Sequence, residues 1–597
     1  MKRSIGLSFL PFMLILLVAQ QMPAQPQTHL VLTHVTVIDA RGAPPQRNMA
    51  VVITGDRITE MGKIGHVHVP KNAEVFDETG KFLIPGLWDM HVHWYAKKYL
   101  PLFIANGVTG IRLMWGQPIH HQWRKEIEQG TLLGPRMVIA SPIVDGPNPF
   151  WPGSIGVANE EDARQVVARV KQDGADFVKV YSRLPREAYF AIADEAKKQG
   201  IPFEGHVPFS VTAEEASDAG QKSFEHLFGV LPGCSLRGDE LNKAIRDDLA
   251  ESIASGTRLD FELGQRFRKL SHVELDSYSK EKAAALFARF KKNGTWQCPT
   301  LTVNRSYAYI DDQAFRNDPR LKYVPIRIKS DWEPGRDPTL VGRTPEDVVF
   351  AKNELQKGLE VTAAMQRAGV GILAGTDVLN PFCFPGFSLH DELALLVQAG
   401  LTPMEALQSA TLNPARFLGK EKELGTVATG KIADLVVLDA NPLEDISNTR
   451  KIVGVVFGGR FFTKASLHEM LSEAEALAAR KPIGELLSKT IAEKGVESAI
   501  KQYHELKSTQ PAIYNFDEIE LNELGYQLLE AKKINEAIRI FELNVEAYPV
   551  SSNVYDSLGE AYLAHGDKEL AIRNYKKSLD LDPKNTNAVD KLKELNH

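Results

Sequence analysis

The chain has 597 residues, is 43% hydrophobic and 24% charged, and carries a formal net charge of −6. That length is too great for a single hydrophobic core and implies several domains. The charge balance excludes the basic field that nucleic-acid binding needs, and three widely separated cysteines, Cys234, Cys298 and Cys383, exclude a disulfide framework and a thiolate zinc site.

Lys2 and Arg3 precede an apolar run over 5–18, interrupted by Pro11, and small and polar residues follow to Ala24. This is the order of a secretory signal, so 1–24 is expected to be cleaved and the mature protein to be periplasmic or extracellular. The run is short for a bilayer span, and no other stretch is long and apolar enough for one. From 28 to 85 the pattern is short and β-like, as in Val35-Thr36-Val37-Ile38 and Val51-Val52-Ile53, punctuated by Thr54-Gly55-Asp56 and Glu78-Thr79-Gly80. The same texture returns over 423–465, in Leu435-Val436-Val437-Leu438 and Val453-Gly454-Val455-Val456-Phe457. Neither half can bury a core alone, so the two are expected to form one small β-sandwich domain, with 86–422 inserted between them as a unit.

That unit is of α/β type. Strands are predicted at 87–93, 107–114, 136–140, 177–181, 202–207, 223–228, 295–303 and 371–378, with helices such as 160–172, 186–199 and 345–367 between them. Eight strands alternating with helices predict a (β/α)8 barrel. The connections after the sixth and seventh strands are long enough to carry helices of their own. From 466 the composition turns helical: 466–510 reads as a linker with a degenerate repeat near 497–503, and 511–597 as repeats closed by a capping helix over 585–595. Leu524-Gly525 matches Leu558-Gly559, Ala537 matches Ala571, Phe541 matches Tyr575 and Pro549 matches Pro583, each at the 34-residue tetratricopeptide period. Such repeats present a groove to a protein partner, support self-association, or pack against the barrel. Two full repeats fall short of the three that usually stand alone.

In a barrel of parallel strands, functional side chains gather at the C-terminal strand ends. The first strand ends in His91-Val92-His93, whose imidazoles share one face because side chains alternate along a strand. Two imidazoles so placed can hold one metal ion. The fourth strand carries Lys179 within an apolar run, the fifth ends in His206, the sixth in His226 and the eighth in Asp377. Any one of these alone reads as an ordinary core residue; six in register with the strands read as a site.

The order HxH, Lys, His, His, Asp on successive strands resembles the amidohydrolase superfamily of metal-dependent hydrolases. Ile84-Pro85-Gly86-Leu87-Trp88-Asp89-Met90-His91-Val92-His93, Ala374-Gly375-Thr376-Asp377 and Gly430-Lys431-Ile432-Ala433-Asp434 resemble its imidazolonepropionase and prolidase-like branch, which has a carboxylated lysine. The resemblance implies two divalent metal ions, zinc, with His91 and His93 on the more buried ion and His206 and His226 on the more exposed one. Lys179 would bridge both as a CO2-derived carbamate, because an ammonium has no lone pair to offer. Asp377 would bind a metal, accept a proton from water whose pKa falls from about 15.7 toward 7, and return it to the leaving amine. The implied reaction is hydrolysis of the amide bond of a dipeptide or N-acyl amino acid by metal-activated hydroxide. Hydrolysis of a cyclic amide, a lactone or a phosphotriester uses the same centre; mononuclear deaminases of the superfamily lack the fourth-strand lysine. In the alternative from another class, the barrel is an inert scaffold for repeat-mediated protein binding. One departure from the family lies on the second strand, where Ile111-Arg112-Leu113-Met114 stands in place of a frequent Arg-Asp pair.

Tyr181, two residues past Lys179, faces the same side, where it either hydrogen-bonds a developing oxyanion or substrate carboxylate or packs at the barrel mouth. Arg305 and Tyr307, after the seventh strand, are candidates for gripping a carboxylate, and the aromatics of 380–387 for an apolar wall. His66 and His68 read as surface, His120 and His121 as loop surface, and His390 as a structural or capping residue.

Overall fold

The computed structural model describes residues 29–596 except 95, 152, 256–260, 334–339, 341 and 584. The expected signal segment, 1–24, lies outside the described residues. Among the described residues no helix is long and apolar enough to cross a membrane.

Phe82–Pro85 is the strand on which the two distant β segments meet. It lies parallel to His29–Val37 on one side and antiparallel to Leu435–Leu438 on the other. Gln46–Thr54 and Arg57–Lys63 extend one edge, Ile452–Phe457 and Arg460–Thr463 the other, and Glu74–Asp77 pairs with His29–Val37, giving one sheet of eight strands. Alternation along the strands decides what each face buries. Leu83, Leu435 and Val437 pack with Val35, Val51 and Ile53 in the sheet's own core. Ile84, Val436 and Leu438, one residue out of phase, join the barrel core. Gly86 then carries the chain into the barrel. A Cβ there would lie 2.2 Å from Thr109 Oγ1, so only glycine allows this passage.

Leu87–Val92, Val108–Leu113 and Arg136–Ile139 pair in parallel order. Ala140 bridges to Phe177, and from there Val178–Val180, Phe203–Gly205, Ser223–Glu225 and Trp296–Cys298 follow side by side. Gln297 bridges to Ile372 and Val378 back to Val92, which closes the ring of eight. Two predicted strands are corrected. The seventh stops at Cys298 rather than 303, because Pro299 has no ladder donor and Thr300 turns left-handed (φ 46) into the helix Leu301–Tyr309. The eighth, 371–378, is held by bridges rather than a regular ladder; its Gly371 and Gly375 sit where a Cβ would strike Trp296 and Cys298.

The helices Glu160–Gln172, Arg186–Gln199 and Pro345–Ala368 form the outer ring, each with a local signal at one end. Asn159 accepts from Asp162 N, Gly200 closes its helix in the left-handed conformation, and Thr344 with Asp347 makes a capping box. The long connections after the sixth and seventh strands carry helices of their own, including Gly238–Ser255, Lys280–Asn293 and Ile326–Asp331.

Toward its C-terminal end the chain forms the helix pairs Glu518–Glu530 with Ile534–Ala547 and Ser552–His565 with Lys568–Leu581. The 34-residue match has a simple packing cause. A Cβ on Gly525 would come within 2.5 Å of the Phe541 ring, and one on Gly559 within 2.9 Å of the Tyr575 ring. In each repeat a glycine on the first helix is the seat for an aromatic on the second.

Candidate active site

His91 and His93 leave the first strand on one face, with their Nε2 atoms 3.3 Å apart. Asp377 is brought to them by the barrel closure itself: Asp377 N donates to His91 O, and His93 N donates to Val378 O. Asp89 ties the two segments together by accepting from Thr376 N and Oγ1 and from His91 N. Asp377 Oδ1 thereby lies 3.2 Å from His93 Nε2 and 3.4 Å from His91 Nε2.

On the opposite wall, His206 and His226 meet edge to face with ring centroids 5.0 Å apart, and His226 lies 4.5 Å from the His91 ring. Lys179 is fully buried between these walls, and its Nζ has no hydrogen-bond partner. Gly205 permits this: a Cβ there would meet Val180 O at 2.2 Å and Lys179 Cδ at 3.0 Å. The backbone is strained where the ligands sit. His226, Leu227, Thr300 and Asp377 all have positive φ, a conformation that non-glycine residues adopt only when their surroundings over-determine it.

Three hydrogen bonds orient the imidazoles. His91 Nδ1 donates to Glu225 Oε2 at 2.7 Å, because a carboxylate only accepts. Thr300 Oγ1 gives its hydrogen to Pro299 O, so His226 Nδ1, 2.7 Å away, is the donor to it. Both rings therefore keep an unprotonated Nε2, and that of His91 faces His93 Nε2 and Asp377 Oδ1. His206 Nδ1 is held by Ser182 Oγ at 2.8 Å, and its ring is stacked between Tyr181 and Phe228. Such outer partners set the tautomer and basicity of metal-binding imidazoles. Burial holds His91 and His206 well below the usual histidine range and brings His226 to about 4, so all three are neutral at physiological pH. Burial pushes the Asp377 carboxyl up, but His226, His93 and Lys179 outweigh it, leaving Asp377 below the ordinary carboxylate value. Burial brings the Lys179 ammonium down to about 8 against the opposing pull of Glu225 and Asp377.

The donor set fits a metal ion. His91, His93 and Asp377 each offer one ligand atom, and these lie within 4.8 Å of one another. Lys179 Nζ is buried with no hydrogen-bond partner, and Asp377 Oδ1 faces the Nε2 atoms of His91 and His93. A second convergence, of His91, Glu225 and Cys298, lies deeper. There Glu225 is already saturated by Arg112, Ser223 and His91, so it positions the histidine.

The six expected ligands, His91, His93, Lys179, His206, His226 and Asp377, thus come together. Tyr181 and Tyr307 line the same cavity. Tyr181 OH accepts from Trp151 Nε1 at 2.8 Å, which leaves its own hydrogen to donate. Arg305 is not brought there. Its guanidinium is held 2.8 Å from Asp391, which also takes Arg320 and Arg450. These arginines keep the Asp391 carboxyl well below the usual range despite burial, so their stabilisation is present at neutral pH and lost only in strong acid. Asp391→Asn is expected to lower stability by about 2 kcal/mol at pH 7, less than for a fully buried pair because the arginines are partly exposed. Urea denaturation checks this, and a loss of the same size at pH 2 would contradict it.

Other readings are also revised. His120 is buried in the helix Pro118–Glu128, where Nδ1 accepts from Gln117 N and Nε2 meets Trp94 O, rather than lying on a loop surface. Phe382 and Phe384 back the cavity wall in a cluster with Trp332 instead of lining it. His390 is buried between Thr449 and Asn106 O, a structural role, and His66 and His68 are exposed. Arg112, on the second strand, is fully buried beneath the site, where it bonds Glu204, Glu225, Ser223 and Met90 O. Glu225 and Arg112 were discoverable from sequence by the signal that exposed Lys179, a charge inside an apolar strand; Ser182 and Thr300 carry no such signal.

Residues 82–462 match the amidohydrolase family, and residues 552–585 match the tetratricopeptide repeat. Over 75 residues the chain is 37% identical to imidazolonepropionase of Symbiobacterium thermophilum, and over 93 residues 37% identical to 5-methylthioadenosine/S-adenosylhomocysteine deaminase of Moorella thermoacetica. These segments are 12% and 14% of this chain and span only 17% and 22% of the respective relatives. Bottromycin amidohydrolase superposes with a TM-score of 0.58 at 23% identity, covering 75% of this chain and 90% of that one. An Xaa-Pro dipeptidase with methionine bound in its active site gives 0.51 at 20%, covering 73% and 100%. At these identities the structural likeness speaks for the fold. With the match running from residue 82 through the whole barrel to residue 462, the protein belongs to the amidohydrolase family and carries a tetratricopeptide unit at its C-terminal end.

Proposed function

We propose that this chain is an exported, metal-dependent hydrolase of the amide bond in a dipeptide or N-acyl amino acid. The convergence of His91 Nε2, His93 Nε2 and Asp377 Oδ1 beside an unpartnered Lys179 carries the reading. His91, His93, His206, His226 and Asp377 would hold two zinc ions, with Lys179 as a carbamate between them. Metal ions held there polarise a carbonyl oxygen and acidify water. Asp377, ionised at neutral pH, takes the proton of the attacking water and returns it to the leaving amine. Tyr181 donates its free hydroxyl hydrogen to the carbonyl oxygen as negative charge develops there. An inert scaffold is the weaker reading, because strained backbone and unpartnered buried polar atoms at the strand ends would carry a cost with no return.

The test is metal analysis with hydrolysis of a dipeptide panel. Wild type is expected to bind two zinc ions and Lys179→Ala to lose both metal and activity; folded wild type that takes no metal from excess zinc would sink the reading. Carbamate formation needs the neutral amine, which dominates above a pKa of about 8. At a fixed concentration of dissolved CO2, reactivation of the metal-free protein by zinc is therefore expected to quicken as pH rises and to level off above about 8. A rate independent of CO2 would remove the carbamate. Export is tested separately, by N-terminal sequencing of the mature protein for cleavage near residue 24.

A further inference from the structure

The barrel mouth opens into one continuous cavity of about 3190 Å³ whose lining extends onto the repeats. Small-molecule sites usually occupy roughly 300–1,000 Å³, so a dipeptide leaves most of this space unused. The same cavity touches His93, His226 and Asp377 at one end and Tyr526, Asp556 and Glu560 at the other.

We infer that the repeats are a distal substrate arm: their concave face holds a basic segment of an extended peptide whose scissile amide lies at the barrel site. The inference rests on the amide-hydrolase reading and adds to it the size and charge of the substrate. On the repeat side the cavity lining includes Asp517, Glu518, Glu520, Asp556, Glu560 and Asp590, and among the described lining residues from 515 onward there is no lysine, arginine or histidine. Two of these carboxylates are held ready for a cation. Asp556 accepts from the side-chain amides of Asn585 at 3.0 Å and Asn587 at 2.7 Å. Glu560 accepts from Asn587 at 2.9 Å and from Tyr526 OH at 2.7 Å. All of these donors are neutral, so they orient the two acids without cancelling their charge. Among the described residues neither acid has an ion-pair partner, although Asp556 is only 9% exposed.

Two like charges fixed side by side in a half-buried groove favour an ammonium or guanidinium between them. Tyr526 and Tyr548 beside them offer aromatic surface for the aliphatic stem of such a side chain. Cations border the arm, and two of them, Arg327 and Arg480, line the cavity itself. Lys98 pairs with Asp517 and Arg327 with Glu523, which joins the arm to the barrel and to the helix Ile326–Asp331 over its mouth. The arm is thereby held over the mouth while its acidic floor stays available.

The test uses the full-length protein and two fluorescein-labelled octapeptides that differ only in carrying three lysines or three glutamines. Binding is read by anisotropy in Asp377→Asn, which is not expected to cleave. The lysine peptide is expected to bind about tenfold or more tightly than its glutamine twin, with the preference shrinking as salt rises. Adding Asp556→Asn and Glu560→Gln is expected to bring the two affinities together; if that protein fails to fold, Glu560→Gln alone is read by the same ratio. Equal affinities in the parent, or a preference that survives the groove substitutions, overturns the inference. Hydrolysis by the zinc-loaded wild type separates the two readings. A lysine preference in binding without cleavage of either peptide overturns the link between groove and barrel and leaves the hydrolase to the dipeptide panel; cleavage of both at equal kcat/KM removes the groove and leaves the hydrolase.

Discussion

Asp377→Asn is expected to lower kcat on the best dipeptide by about a thousandfold, since in the proposed mechanism one carboxylate both takes the water proton and returns it to the amine. The amide cannot carry a proton in this way, yet it fits the same space. It keeps the backbone bond to His91 O that closes the barrel, so the fold is expected to persist. Asp377 Oδ1 is also one of the three converging ligand atoms, so metal content is measured alongside activity. Full metal occupancy with lost turnover assigns the proton role; joint loss of metal and turnover assigns ligation as the dominant one. Turnover within tenfold of wild type would remove Asp377 from the mechanism.

Arg112→Met is expected to destabilise the barrel by about 3–5 kcal/mol, because it leaves buried carboxylates without their cation. Glu204 and Glu225 are 2% and 0% exposed, and the guanidinium bonds both of them. Methionine restores the volume between the rings of Phe177 and Phe417 but none of the charge. Burial already raises the Glu204 carboxyl above its ordinary value. An acid raised in the folded state binds its proton more tightly there than in the unfolded chain, so stability falls as pH rises. The loss in Arg112→Met is therefore expected to be smaller at pH 5 than at pH 8, as read by urea denaturation of barrel fluorescence. Adding Glu204→Gln and Glu225→Gln is expected to recover part of it, since apolar or neutral replacement of a whole buried network costs less than breaking it. Metal affinity is expected to fall in the triple variant, because a neutral glutamine at 225 accepts from His91 Nδ1 more weakly than the carboxylate and leaves the imidazole less basic. A loss below about 1 kcal/mol in the single variant would show that the network is not needed for stability.

The candidate ligand set is legible because each candidate breaks a local pattern. A histidine pair on one strand face, a lysine inside Phe177-Val178-Lys179-Val180-Tyr181 and an aspartate after Gly375-Thr376 are anomalies in apolar runs, and the period of two states which face they share. The repeats were legible for a related reason, since Gly525 with Phe541 and Gly559 with Tyr575 recur at a fixed spacing. Arg305 misled because proximity along the chain to a strand end says nothing about partners, and Asp391 lies 86 residues away. The seventh strand was overextended because Leu301-Thr302-Val303 reads as β until Pro299 and Thr300 are given their backbone angles.

By itself the sequence determined which residues could ligate a metal, the alternating class of the barrel and the helical repeats beyond it. These depend on local periodicity and residue chemistry. Only the tertiary structure decided which neighbours orient the ligands, that Arg112 supports them from below, and that the repeats turn their acidic face over the barrel mouth. Those outcomes depend on contacts between residues tens to hundreds of positions apart, such as Arg112 with Glu225 and Lys98 with Asp517. No local pattern encodes such pairings, because they exist only once burial and strand register have brought the segments together.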